Sequence, residues 1–124
     1  MIDYIRLELP TSSRYTSTVR ITAAGIAAEL DFDVDAIEEF RMGVNELVAL
    51  VIDSARAHDA ARVHVDFLIE EHAIEVICGF DSARADCVIE VDELAEQILD
   101  AVADEHRAEG TTMRLLKRRI NERV

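Results

Sequence analysis

The chain has 124 residues, 50% of them hydrophobic and 31% charged, with one Pro and four Gly; this is the composition of a compact globule long enough to bury a core, not of a disordered tail. Acidic residues outnumber basic ones 26 to 13, a formal charge of −13, which repels phosphate backbones and anionic membrane surfaces, argues against direct nucleic-acid binding and would steer a basic protein surface inward, although acidity also serves solubility alone. No stretch approaches the roughly 20 apolar residues of a membrane span, and the start MIDYIRLELP has no signal-peptide core, so a cytoplasmic protein is expected.

Residues Ile2 to Leu9 alternate, with Ile5, Leu7 and Leu9 on one face and Tyr4, Arg6 and Glu8 on the other, which predicts a half-buried strand ended by Pro10. Thr11, Ser12 and Ser13 are candidate N-caps for a helix to about Leu30, with Val19, Ala23, Ile26, Ala27 and Leu30 at helical spacing. Asp31, Asp33 and Asp35 precede a longer helix, about Val34 to Arg56, whose apolar stripe is Ile37, Phe40, Val44, Leu47, Val48, Val51 and Ala55. Asp35 with Glu38 reads as an imperfect capping box.

Arg62 to Ile69 alternates Val63, Val65 and Phe67 against His64, Asp66 and Leu68, and Ala73 to Phe80 reads as a second strand; the short polar link predicts an antiparallel hairpin. Asp81 to Asp86 is a loop, and Leu94, Ile98, Leu99 and Val102 predict a third helix over Val91 to His106. Gly110 breaks it, and Thr111 to Ile120 forms a last strand. The order β-α-α-β-β-α-β predicts an α/β two-layer sandwich, a mostly antiparallel sheet covered on one face by about three helices, as one domain over residues 1–124.

The segment LELPTSSRYTSTVRITAAGIAAELDFDVDAIEEFRMGVNELVALVIDSA, Leu7 to Ala55, with its Pro-ended strand, its Val19–Arg20 pair and its long second helix, resembles the front half of the RsbW-like anti-sigma factors. These are protein-serine kinases of the GHKL, histidine-kinase-like ATPase superfamily, and the rest of the chain matches in element order and length. The resemblance implies a Bergerat-type fold and a homodimer. It also implies two partners, a sigma factor and an anti-anti-sigma factor, in the kind of regulation that serves bacterial stress responses.

The family's helix motif runs approximately E-x-x-x-N-x-x-x-H, because a spacing of four stacks three side chains on one stripe facing the nucleotide. Here the stripe is Glu46, Leu50 and Ser54. Glu46 falls where the family's general base falls; an acidic residue on a solvated helix face is the competing reading. Leu50 replaces the Asn that gives an oxygen to magnesium, and Leu has none. Asn45 lies roughly 100° round the helix from Glu46 and is no simple substitute.

The family's second motif, D-x-G-x-G, aligns by strand with Cys78, Phe80 and Ser82. A thiol is a weak acceptor for the adenine amino group, and Phe80 would fill the space the base needs. Sliding the match to Asp81, Ala83 and Ala85 recovers the Asp but neither glycine. The Gly-rich phosphate turn before the third helix is missing too, since no glycine lies between Asp81 and Leu94 and Asp86, Glu90, Asp92 and Glu93 stand there instead. The expected function is therefore protein binding with weak or absent ATP binding and no cofactor; the alternative is an active kinase that uses ATP and Mg2+.

The remaining reactive residues suggest less. His58, His64, His72 and His106 share no ligand spacing with one another or with the cysteines, so they read as surface or edge histidines and no metal is expected. Cys78 and Cys87 fit neither a CxxC clip nor a disulfide framework and read as buried free thiols. Arg118, Arg119 and Arg123 read as a solvated strand end, with an acidic partner as the other option.

Overall fold

The computed structural model describes residues 2–82, 84 and 86–119. Strand β1 (Asp3–Pro10) is followed by a 3-10 turn (Ser13–Tyr15), helices α1 (Thr16–Glu29) and α2 (Val34–Ala57), strands β2 (Arg62–Ile69) and β3 (Ala73–Gly79), helix α3 (Glu93–Val102) and strands β4 (Glu105–Glu109) and β5 (Thr112–Arg118). The sheet order is β1-β2-β3-β5-β4 and every neighbouring pair is antiparallel. Leu9, Val63, Val65, Phe67, Ile74, Val76, Cys78, Met113 and Leu115 face the helices and join them in one core. The expected two-layer α/β sandwich is the observed architecture. Among the described residues no helix is long and apolar enough to cross a membrane.

Helix α2 carries the core stripe. Phe40, Val44, Leu47, Val48, Val51, Ile52 and Ala55 are almost wholly buried, as a period of 3.6 on one face requires. Its start is set by Asp33, whose carboxylate accepts a 2.8 Å hydrogen bond from the Ala36 amide. The capping box expected at Asp35 and Glu38 is therefore not formed; Asp35 already lies inside the first turn, and Glu38 pairs with Arg41. Residues Asp31 and Asp59, at φ 62 and 58, take left-handed conformations that close the turns before and after α2, a backbone that Asp tolerates better than bulkier residues.

Two expectations fail at the C-terminal side. The third helix is shorter than Val91 to His106: Asp92 caps it, and Ala103 turns extended at ψ 150. Leu94, expected inside, is 67% exposed, whereas Leu99 and Val102 face the core as expected and Ala95 joins them. The expected last strand is present as β5, but a further strand, β4, precedes it where the end of the helix was expected. The segment EHRAE pairs with β5, and Gly110, at φ 60, sits in the tight turn between Glu109 and Thr112 rather than serving as a helix breaker. Strand β5 ends at Arg118, and the remainder of the strand expected to reach Ile120 includes residue 120, outside the described residues.

On the sheet face away from the helices, Asp66 is only 6% exposed. Arg6 donates to both of its oxygens, at 2.6 and 3.0 Å, and the Tyr4 hydroxyl donates at 2.9 Å. Nδ1 of His64 lies 3.2 Å from the same carboxylate without the alignment of a hydrogen bond. The Arg6 hydrogen bonds hold the Asp66 carboxyl below its usual range against the opposing effect of burial. At the far side of the sandwich, Lys117 Nζ donates to Glu39 Oε1 at 2.6 Å and to the Val102 carbonyl at 2.9 Å, tying β5 to both α2 and the end of α3.

Two outcomes follow from this packing. A Cβ on Gly79 would lie 2.7 Å from the Thr111 carbonyl oxygen, a backbone atom that cannot swing aside, so Gly79→Ala should lower stability by about 1–3 kcal/mol in urea unfolding with the slope unchanged. Because the folded Asp66 pKa lies below the unfolded value near 4, its contribution is present above about pH 4 and disappears as pH falls further. The gap between wild type and Asp66→Asn, about 1–2 kcal/mol at pH 7 for a partly exposed charged hydrogen bond, should shrink when unfolding is measured near pH 3.

Candidate functional site

Three of the residues singled out from the sequence share α2. Glu46, Leu50 and Ser54 run along α2 at intervals of one turn, each half-buried, beside the core stripe of the same helix. Asn45, next to Glu46, accepts a 2.9 Å hydrogen bond through Oδ1 from Arg20 of α1. The Arg20 guanidinium is thus engaged one residue from the candidate carboxylate.

A cleft of about 380 Å³ opens beside the second half of this stripe, lined by Leu50, Asp53, Ser54, Ala57, His58, Val88, Glu90 and Asp92. One of its lining residues, His58, packs on the buried Phe80 ring behind it. The two rings stack with centroids 6.2 Å apart and planes 24° from parallel, and Phe80 is 2% exposed. His58 is the residue that ends α2, and its Nδ1 lies 2.9 Å from the Ser54 carbonyl, the geometry of an N–H donating to one of the helix's last carbonyls. The ring is therefore anchored by the helix terminus and backed by the phenyl group.

The opposite wall is acidic. Asp92 is the N-cap of α3, its carboxylate accepting a 2.8 Å hydrogen bond from the Ala95 amide. A helix N-terminus ordinarily attracts anions through its free N–H groups; here a side-chain carboxylate already answers that attraction. With Asp53 and Glu90 also lining the cleft, an entering phosphate would meet like charge and an entering cation would meet opposite charge. Oxygen ligands come from Asp53, Ser54, Glu90 and Asp92, whereas Leu50 offers only carbon.

The other sequence candidates sit elsewhere. Cys78 is fully buried in the core and burial pushes its thiol far up from the ordinary range, so it stays protonated. Ser82 accepts a 3.1 Å hydrogen bond from the Arg84 amide in a local turn and is not part of the cleft. Asp81 lines a separate depression with Glu8 and residues 60–64; Ala83 and Ala85, which complete the slid match, lie outside the described residues. Cys87 is a buried free thiol like Cys78. Arg118 pairs with Glu105, and Arg119 Nη1 donates to the Leu30 carbonyl at 3.3 Å; Arg123 is outside the described residues. From sequence alone His58 reads as a surface or edge histidine, and Asp53 is not distinguished from other acidic residues. His58 follows the helical pattern by two residues, and Asp53 stands beside the spacing-of-four stripe, so a search restricted to that stripe passes over both.

A five-stranded antiparallel sheet with three helices on one face, and a cleft between the second helix and the segment leading to the third, defines the histidine-kinase-like ATPase class of fold. No family model matches the chain. The serine-protein kinase RsbW of Bacillus subtilis is 27% identical over 98% of this chain and 89% of its own length. RsbW of Bacillus velezensis is 26% identical over 99% and 90%. RsbW of Listeria monocytogenes is 34% identical over 61% of this chain, the match spanning about half (49%) of that relative. A crystal structure of the RsbU and RsbW domains of a Mycobacterium tuberculosis protein superposes with a TM-score of 0.65 at 17% identity, covering 94% of this chain and 32% of that one. The chain is thus similar to the RsbW serine-protein kinases over nearly its whole length, and it shares its fold with an RsbW domain.

Removing the ring that backs His58 tests how firmly this side of the cleft is held. Phe80→Ala should destabilise the fold by about 3–5 kcal/mol, the cost of emptying a fully packed aromatic site, read as a lower urea midpoint.

Proposed function

We propose that this chain is an anti-sigma-type regulator of transcription that acts by protein–protein binding. It holds a sigma factor and gives it up when an anti-anti-sigma partner takes its place. ATP and Mg2+ binding is weak or absent in this reading. The chain pairs as a homodimer and works in the cytoplasm, with no direct contact to nucleic acid or membrane.

The observation that carries the reading is the stacked pair of Phe80 and His58 beside Leu50. Adenine needs an open slot with a carboxylate acceptor, and magnesium needs oxygen ligands in near-octahedral array. At the corresponding positions stand a buried phenyl ring, a thiol held protonated and an isobutyl group. The carboxylate of Asp92 on the α3 N-terminus and the charges of Asp53 and Glu90 add repulsion toward a triphosphate. What such a surface retains is recognition of another protein, and an overall charge of −13 would speed encounter with a basic one.

A second reading is favoured by one residue. Glu46 stays on α2, half-buried, where the family's catalytic carboxylate falls, and the relatives are named serine-protein kinases. In that reading Glu46 takes the proton of a partner serine as it attacks the γ-phosphate of ATP.

Calorimetric titration with Mg-ATP is expected to give no binding event, and micromolar affinity would refute the proposal. With an anti-anti-sigma partner in hand, Glu46→Ala should leave complex formation within about twofold of wild type, as expected for a residue outside a binding hot spot. If wild type instead phosphorylates that partner and Glu46→Ala does not, the kinase reading replaces this one.

A further inference from the structure

We propose that Glu96, Asp100 and His106 form a site for a borderline divalent metal ion of the zinc type, at the seam between α3 and β4. Glu96 and Asp100 are one helical turn apart, so their carboxylates rise from the same face of α3. His106 comes from the edge strand; register pairs it with buried Leu115, which turns its ring toward the helix layer and leaves the side chain 12% exposed. One ligand atom from each residue lies within 4.8 Å of the other two. Nε2 of His106 is 2.6 Å from Asp100 Oδ1 and 4.0 Å from Glu96 Oε2.

Zinc bonds to nitrogen and oxygen of about 2.0–2.2 Å set neighbouring tetrahedral ligands about 3.3–3.5 Å apart. The observed 2.6 and 4.0 Å separations bracket that spacing. The two carboxylates, 54% and 65% exposed, are free to make the shift of under about 1 Å that remains. One imidazole with two carboxylates suits zinc, manganese or cobalt better than magnesium, which prefers an all-oxygen octahedron. Water would complete the shell, since three protein ligands leave a position open.

The local electrostatics call for a cation. Like charges four residues apart on a helix repel. Asp100 also lies in the C-terminal half of α3, whose last turn contains no basic residue to offset the partial negative charge of the final carbonyls. A divalent ion held by Glu96, Asp100 and His106 would supply two positive charges there and join β4 to α3.

The test is titration of the full chain with ZnCl2, followed by calorimetry and thermal unfolding. One equivalent should bind saturably, raise the Tm, and be reversed by EDTA. Loss of an outer-shell partner alone costs about 10–100-fold in metal affinity, so His106→Gln and Glu96→Gln should each weaken zinc binding at least tenfold. Glu96 is exposed, and its variant should melt like wild type in the absence of metal, which separates ligand loss from misfolding. Unchanged zinc affinity in both variants, or only weak binding of many equivalents to the acidic surface, overturns the proposal, the ion being adventitious only. Because ATP and partner proteins play no part in it, the result is independent of the proposed function.

Discussion

The inner stripe of α2 is the constraint from which the rest of the molecule takes its geometry. Phe40, Val44, Leu47, Val48, Val51, Ile52 and Ala55 fill the space above the middle of the sheet, and dense packing permits that helix one azimuth only. At Gly43 the helix and β5 approach so closely that a Cβ would stand 2.8 Å from the Leu115 side chain. Turning α2 by one residue, about 100°, would drive Asn45 or Glu46 toward this core at a cost of several kcal/mol for an unpaired charge. The outward direction of Glu46, Leu50 and Ser54 is therefore a by-product of core packing. So is the location of the cleft.

Much of this was legible in the residues. Seven apolar positions obeying one period located α2 to within a residue of its end, and strict alternation located β2 over Arg62–Ile69. The C-terminal third was less legible for physical reasons. Strand β4 is EHRAE, with no apolar alternation, because an edge strand is held by main-chain bonds to its one neighbour and has little to bury. Its Ala and Glu are good helix formers, so local preference extended α3 across residues that pairing with β5 makes extended. Leu94 joined the predicted apolar stripe because it lies four residues before Ile98, but the face that packs inward is set by Ala95, Leu99 and Val102.

The site was half legible. The placement of Leu50 and Phe80 can be read by spacing from Glu46 and from the end of β3. The ring that Phe80 stacks upon cannot, because His58 caps α2 and meets Phe80, at the far end of β3, only in the folded chain. Ligand spacing among histidines and cysteines likewise overlooked Glu96 and Asp100, which meet His106 across a helix-to-strand connection. The rule that makes a helix start well defined also reshapes the cleft: Asp92 is a good N-cap, and a good N-cap made of a carboxylate removes an anion-binding end. One residue thus fixes where α3 begins and changes which charges can approach it.

Twelve of the 13 basic residues are arginine, and the one lysine, Lys117, is 6% exposed with its ammonium held by Glu39 and the Val102 carbonyl. Acylation, acetyl transfer or amine-directed crosslinking at a lysine side chain requires a free, deprotonated ε-amine, and this one is enclosed between two helices and a strand. In the native fold the side chains thus offer such chemistry nothing to attack. Acylation at Lys117 is accordingly a clock for the opening of the sandwich itself, ticking only when α2, α3 and β5 separate.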